Sequence, residues 1–304
     1  GILNGIPVRD VQESGEEIRH YITRLEASLQ TGDSVEGEIN WDRRFDLMQQ
    51  HSGEHIVSGL IHARFGYDNV GFHMGERCVT IDLNGDISRE ALASVEACAN
   101  DYIWQNRETR MFFATEEEIR TLPYRSKLDL TEEVRLAEFP GADLCACCGL
   151  HVKNTGEIGL IKLISVHHFR QGVRIEMVSG KRALACLNTH FEQNSLVASD
   201  LSAKPENTFE AVTHIKEENF RLRGEILRLE KEKYERIAAR CEGLSDVWVS
   251  VPDLSPVDIR KCADEILNVN SGVCVLVSGD DELGYRYAIA RSEERRVGKE
   301  CRSR

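Results

Sequence analysis

The chain has no run of about 18 consecutive apolar residues, the length that a membrane-spanning helix needs, and its amino end lacks the basic-then-apolar pattern of a secretory signal. These absences exclude an apolar membrane span and predict a soluble, globular, cytoplasmic protein with no membrane partner. An overall excess of basic charge is lacking too. The net charge of −13 argues against indiscriminate nucleic-acid binding, because neutralising phosphates takes concentrated Lys and Arg. Nor are the ten cysteines dense enough for a disulfide scaffold. They are spread along the chain except for Cys145, Cys147 and Cys148. In a reducing compartment such a group points to metal binding or catalysis. The other cysteines are expected as small buried hydrophobes.

What is present fits a folded enzyme-sized protein. A length of 304 residues with 41% hydrophobic content predicts two or three folded units. Residues 6–41 alternate in short apolar stretches (Val8 and Val11, Ile18 and Ile22, Val35 and Ile39) separated by turn chemistry, which predicts strands of a small β-barrel or sheet. Asp42 is placed to cap a helix running to about Phe65, with Gly66 as its stop. Residues 70–82 alternate as a strand, and a helix over about 88–106 carries Leu92, Val95, Ala99 and Ile103 on one face. Residues 158–164 and 173–178 read as two paired strands. The class is therefore α+β.

Residues 205–240 are charge-rich and helical, with Val212, Ile215, Leu222, Ile226 and Leu229 at a,d-like spacing. That spacing suits a homodimer contact or, equally, a helix hairpin in the core. Residues 247–251 and 273–277 read as buried strands on either side of a helix over 256–267, a small α/β unit that looks cut short. The last stretch, SEERRVGKECRSR over residues 292–304, continues no apolar period and resembles a translated cloning scar. The division expected is 1–41, 42–190, 191–240, 241–291 and the non-native tail 292–304.

The chemistry lies in two short motifs. His51 and His55, in HSGEH, sit four residues apart on the predicted helix, so both imidazoles project from one face about a turn apart. Cys147 and His151, in CCGLH, repeat that spacing, with Gly149 between them letting the backbone turn. Three nitrogens and one sulfur match the ligand set of one tetrahedral Zn²⁺ per chain. If all four bind together the shell is closed and looks structural; an open position requires one ligand to yield or five-coordination. Cys145 is an alternative to one of the histidines. A redox pair of Cys145 and Cys148 is the competing reading, without the βαβ context it would need.

The segments WDRRFDLMQQHSGEHIVSGLI, GFHMG, YRSK, CACCGLHVKNTGEIGLIKLIS and GVRIEM resemble the editing domain shared by alanyl-tRNA synthetases and free-standing AlaX-type proteins. The resemblance covers about half of the chain. It implies a zinc-containing editing domain over 42–190, preceded by part of a β-barrel and followed by a helical segment and a truncated DHHA1-like module. It further implies hydrolysis of the ester that joins a wrong amino acid to the acceptor end of tRNA(Ala), with serine the expected substrate and glycine the second. A pocket shaped for alanine cannot reject these on size alone, so a separate hydrolytic site clears them. No adenylation segment occurs in these residues, which leaves a free editing factor, a synthetase fragment and a non-catalytic zinc-dependent tRNA-binding module as readings. Leu150 stands where the family usually has threonine, a change that bears on side-chain selection.

Secondary candidates surround the motifs. Glu54 is placed to orient a ligand or accept a proton, or else is a solvated helix carboxylate. His73 either lines the pocket or is a satisfied strand histidine. Gly53 in mid-helix suggests the close approach of another backbone or of substrate. Residues 151–182 carry six basic side chains against the two acids Glu157 and Glu176. Among them Lys153, Lys162 and Arg174 are candidates for phosphate contacts. His167 and His168 read as surface residues.

Overall fold

The computed structural model describes residues 1–15, 17–22, 30–126, 134–282 and 284–291; the 292–304 tail lies outside them. The chain mixes α and β structure, as expected, in two compact units over residues 1–193 and 194–304. The finer five-part division remains a proposal.

In the first unit, β1 (Ile2–Leu3), β2 (Ile6–Ser14), β3 (Glu17–Ile22) and β4 (Gly37–Glu38) form one sheet in the order β3-β2-β1-β4. Helix α1 (Trp41–Phe65) follows. Its cap is Asn40 rather than the expected Asp42: the Asn40 side chain accepts from the Arg43 N–H at 3.1 Å. Asp42 instead lies in the first turn, where a carboxylate faces the positive end of the helix dipole, and takes an ion pair from Lys181 at 3.0 Å. Gly66, with φ 70°, ends the helix as predicted.

The stretch expected as one strand over 70–82 is a hairpin, β5 (Asn69–Met74) and β6 (Val79–Leu83). Apolar alternation runs through both arms, but Gly75 donates its N–H to the Cys78 carbonyl at 3.1 Å and folds the chain back. Then come α2 (Arg89–Trp104), capped by Ser88, and β7 (Arg110–Ala114), α3 (Glu116–Thr121), β8 (Val134–Phe139) and β9 (Asp143–Ala146). The strands β10 (Ile161–Phe169) and β11 (Gly172–Ser179) pair antiparallel, as expected, and join β6 and β5 in the order β10-β11-β6-β5. A third sheet runs β7-β8-β9.

The core gathers Ile56, Val57 and Ile61 of α1, Val79 and Ile81 of β6, Ile175 and Met177 of β11, and the predicted α2 face of Leu92, Val95, Ala99 and Ile103. Two polar devices fix α1 against this core. The Gln50 amide donates to the Ser179 carbonyl and accepts from the Ser179 N–H, both at 2.8 Å, so a buried glutamine completes the end of β11. Arg182 grips Asp46 through Nε and Nη2 and reaches the Gly75 carbonyl at 2.7 Å. Two α1 glycines explain how closely the helix sits. A Cβ on Gly53 would lie 2.2 Å from Ser179 Oγ, and one on Gly59 would lie 2.2 Å from the Ala142 carbonyl oxygen. The close approach inferred for Gly53 is therefore to β11.

Helix α4 (Gly180–Asp200) leads out of the first unit. The second contains α5 (Thr208–Ala239), β12 (Val247–Ser250), α6 (Pro256–Val269), β13 (Val273–Asp280) and β14 (Gly284–Arg291). Strands β12 and β13 are parallel neighbours with α6 between them in sequence, and β14 closes the sheet antiparallel to β13. Tyr234 and Ala238 of α5 pack with Ile259, Cys262, Ala263 and Ile266 of α6 over Cys274 and Leu276 of β13. No helix among the described residues is long and apolar enough to cross a membrane.

Candidate metal centre

Helix α1 presents His51 and His55 one turn apart. Residues 147–151, which follow β9, are brought against them from 96 positions away in sequence. Three contacts hold that segment. Arg135 donates to the Cys147 carbonyl at 2.7 Å and to the Gly149 carbonyl at 2.9 Å. The Val152 N–H donates to Ser52 Oγ on α1 at 3.2 Å. Gly149 serves less as a turn than as space: a Cβ there would lie 2.2 Å from Cε1 of His51. The result is a compact group in which one donor atom each of His51, His55, Cys147 and His151 lies within 4.8 Å of every other. Cys147 Sγ is 3.6 Å from His51 Nε2, close to the roughly 3.5 Å that separates two ligands on a tetrahedral zinc with bonds of about 2.0–2.3 Å.

Two observations fit a cation at this point. His151 is 8% exposed, and its buried Nε2 has no hydrogen-bond partner. A buried imidazole nitrogen left without one is expensive unless something else occupies the lone pair. The second observation is electrostatic. Burial would push the Cys147 thiol up, but the adjoining imidazoles of His151, His51 and His55 outweigh it and bring it down to about 3. The thiolate is thus the resident form at neutral pH, as a metal ligand must be. Burial drives His151 the other way, down to about 4, with the charges of His55 and His51 adding to it; a neutral imidazole is the ligating form.

Behind His55 stands a pair that reading the motifs did not find. Asp143, at the start of β9, accepts from His55 Nδ1 at 2.9 Å and takes a two-pronged contact from Arg125, Nε at 2.7 Å and Nη2 at 2.8 Å. Burial would raise the Asp143 carboxyl, but His55 and Arg125 hold it below the usual range. For His55, burial would lower the imidazole, and the bond to Asp143 reverses this and raises it. A carboxylate on Nδ1 turns Nε2 toward the cluster and fixes its tautomer, the usual outer support of a ligating histidine. Arg125 belongs to the YRSK segment, the one signal that pointed here. Cys145 groups with His55 and Asp143 rather than with the other three.

A cleft of about 880 Å³ opens onto the cluster, lined among others by His51, His55, Phe72, Tyr124, Arg125 and Cys147. Phe72 stacks on His51 with ring centroids 5.6 Å apart. Glu54 also lines the cleft and is only 4% exposed, held by Ser58 Oγ and Asn69 Nδ2. Other candidates are not brought there. His73 is exposed on β5 and absent from the lining, and Leu150, 49% exposed, is outside it too. Lys162 pairs with Glu96 at 2.7 Å, and Arg174 pairs with Asp82 through Nε at 2.6 Å and Nη2 at 2.8 Å. Lys153 is exposed, and no acid among the described residues pairs with its ammonium. His167 and His168 lie exposed on β10.

Residues 134–176 match the family described as the threonyl and alanyl tRNA synthetase second additional domain, a span that contains Cys147, His151 and Asp143. An alanine-tRNA ligase of Ignicoccus hospitalis is 27% identical over 286 residues, 91% of this chain and 31% of the relative. One of Methanoregula boonei is 31% identical over 288 residues, 89% of this chain and 31% of the relative. The alanyl-tRNA editing protein Aarsd1-A of Xenopus laevis is 27% identical over 217 residues, 70% of this chain and 52% of the relative. The chain thus spans 31% of the two ligases and 52% of the editing protein. The resemblance carried by HSGEH and CCGLH is borne out: the chain is similar both to alanyl-tRNA editing proteins and to alanine-tRNA ligases.

Proposed function

We propose that the chain is a zinc-dependent trans-editing deacylase of the cytoplasm, hydrolysing the ester between a wrong amino acid and tRNA(Ala), with serine first and glycine second. The observation that carries this reading is the convergence of His51, His55, Cys147 and His151 at one end of an 880 Å³ cleft. A volume of that order accommodates a terminal nucleoside with its amino acid. A zinc ion held by these side chains would supply Lewis acidity toward the ester where one of the four yields or a fifth position opens. The protein groups do the rest. Asp143 and Arg125 hold His55 in place, and Phe72, Tyr124 and Glu54 wall the cleft. Water adds to that carbonyl, the ester bond breaks, and the products are the free amino acid and a tRNA with its terminal hydroxyl restored. Lys153 is the cation best placed to meet a phosphate of the acceptor end. Its neighbours Lys162 and Arg174 would first have to leave their carboxylates.

A matched pair of esters tests the proposal. Zinc-loaded protein is expected to release serine from seryl-tRNA(Ala) at least about 100-fold faster than alanine from alanyl-tRNA(Ala), the size of discrimination a site built to bind a hydroxyl can reach. Protein that binds both RNAs and leaves both esters intact would instead be a zinc-dependent binding module. A second reading has its own support: ligase relatives match 91% of the chain and the editing-protein relative 70%, so the same site serves equally as the editing part of a ligase.

We also propose a homodimer through α5, whose Val212, Ile215, Leu222, Ile226 and Leu229 are all at least 38% exposed. Sedimentation equilibrium giving a monomer at every concentration would refute it.

A further inference from the structure

We propose that Glu54 anchors the α-ammonium group of the aminoacyl ester, so that the site selects esters of amino acids whose amino group is free. The inference rests on the deacylase reading above and names a binding subsite within it.

Glu54 follows His51 by three residues on α1, and therefore shares the face that carries the metal-binding imidazoles. It lines the cleft and is 96% buried. Both hydrogen bonds it accepts come from neutral groups, Ser58 Oγ at 2.5 Å and Asn69 Nδ2 at 2.6 Å, and both fall on Oε1. Among the described residues no Lys or Arg donates a hydrogen bond to it, although Arg125 and His55 lie near enough to feel its charge. Arg125, which lines the same cleft, gives Nε and Nη2 to Asp143. A carboxylate taken out of water is costly unless a cation meets it. Two neutral donors on one oxygen fix its plane without neutralising it.

The substrate brings a cation able to contact the carboxylate directly. In an aminoacyl ester the ammonium sits on the carbon next to the carbonyl, so a carbonyl placed beside His51 and His55 carries its ammonium to within reach of the intervening residue. Serine, glycine and alanine esters share this group. It therefore gives affinity for the class, and discrimination between side chains arises elsewhere in the cleft.

The test compares seryl-tRNA(Ala) with the glyceryl ester made by replacing its amino group with hydroxyl, each rate divided by that ester's spontaneous hydrolysis. Wild-type protein is expected to favour the seryl ester by about 10- to 100-fold in kcat/KM, the range of a charge-assisted hydrogen bond. Glu54→Gln, nearly the same shape, should lose that factor on the seryl ester and little on the glyceryl ester, so the ratio falls to near 1 while zinc content stays unchanged. Equal handling of both esters by wild-type protein overturns the proposal without any variant. So does a Glu54→Gln protein slowed equally on both, which would make Glu54 a proton acceptor, or one that loses zinc, which would make it a support of the metal centre. Wild-type protein that hydrolyses neither ester would instead remove the deacylase reading itself.

Discussion

Cys147→Ala is expected to give a folded protein that no longer retains zinc through dialysis against a weak chelator. Structural zinc sites are worth about 10–16 kcal/mol at neutral pH. Shared over four ligands, that is roughly 3 kcal/mol or more for each, so removal of one weakens the metal by about 100-fold or more. Cys147 is the one sulfur ligand, already a thiolate before any cation arrives, with its pKa brought down to about 3. Alanine leaves the three imidazoles in place and loses the only negative ligand. Thermal unfolding of the metal-free form should also move down at neutral pH, because a thiolate held far below its unfolded pKa stabilises the folded chain above that value. Unchanged zinc content in this variant would remove Cys147 from the ligand set.

Asp143→Ala is expected to act on both metal and fold. The loss of an outer-shell carboxylate typically costs 10- to 100-fold in metal affinity. Here the same substitution also strands Arg125, whose side chain is 16% exposed against a partner that is 1% exposed. Breaking one side of a buried pair costs about 3–5 kcal/mol. A fall in melting temperature should therefore appear in the metal-free protein. Chelator competition and calorimetry on the two variants separate the roles: one is a ligand, the other the post behind a ligand. An Asp143→Ala protein with native zinc affinity would mean that His55 needs no such support.

The parts of the fold legible in the sequence were those fixed by local periodicity. Helix α2 showed its buried face in Leu92, Val95, Ala99 and Ile103, and all four are in the core. Helix α6 and its flanking strands β12 and β13 were visible for the same reason. Where two signals competed, the local one misled: alternation carried residues 70–82 as one strand through the turn at Gly75. Asp42 is as good a cap by type as Asn40, and only the backbone geometry chooses between them.

The candidate site divides in the same way. The pairs His51 with His55 and Cys147 with His151 each declare themselves within five residues, and the structure brings the two pairs together. Asp143 and Arg125 could not be read, because an acid near a cysteine group and an arginine 18 residues earlier acquire meaning only when β9 lies against α1. Glu54 illustrates the limit on burial. On a bare helix it reads more readily as a solvated carboxylate, yet the packing of β5 places Asn69 on one of its oxygens and leaves it 4% exposed.

The most direct test of the shared metal centre is zinc X-ray absorption on the full chain after metal analysis. The expected result is one zinc per chain with one sulfur at about 2.3 Å and three nitrogens at about 2.0–2.1 Å. A shell without sulfur, or a chain that takes up no zinc at neutral pH, would contradict it.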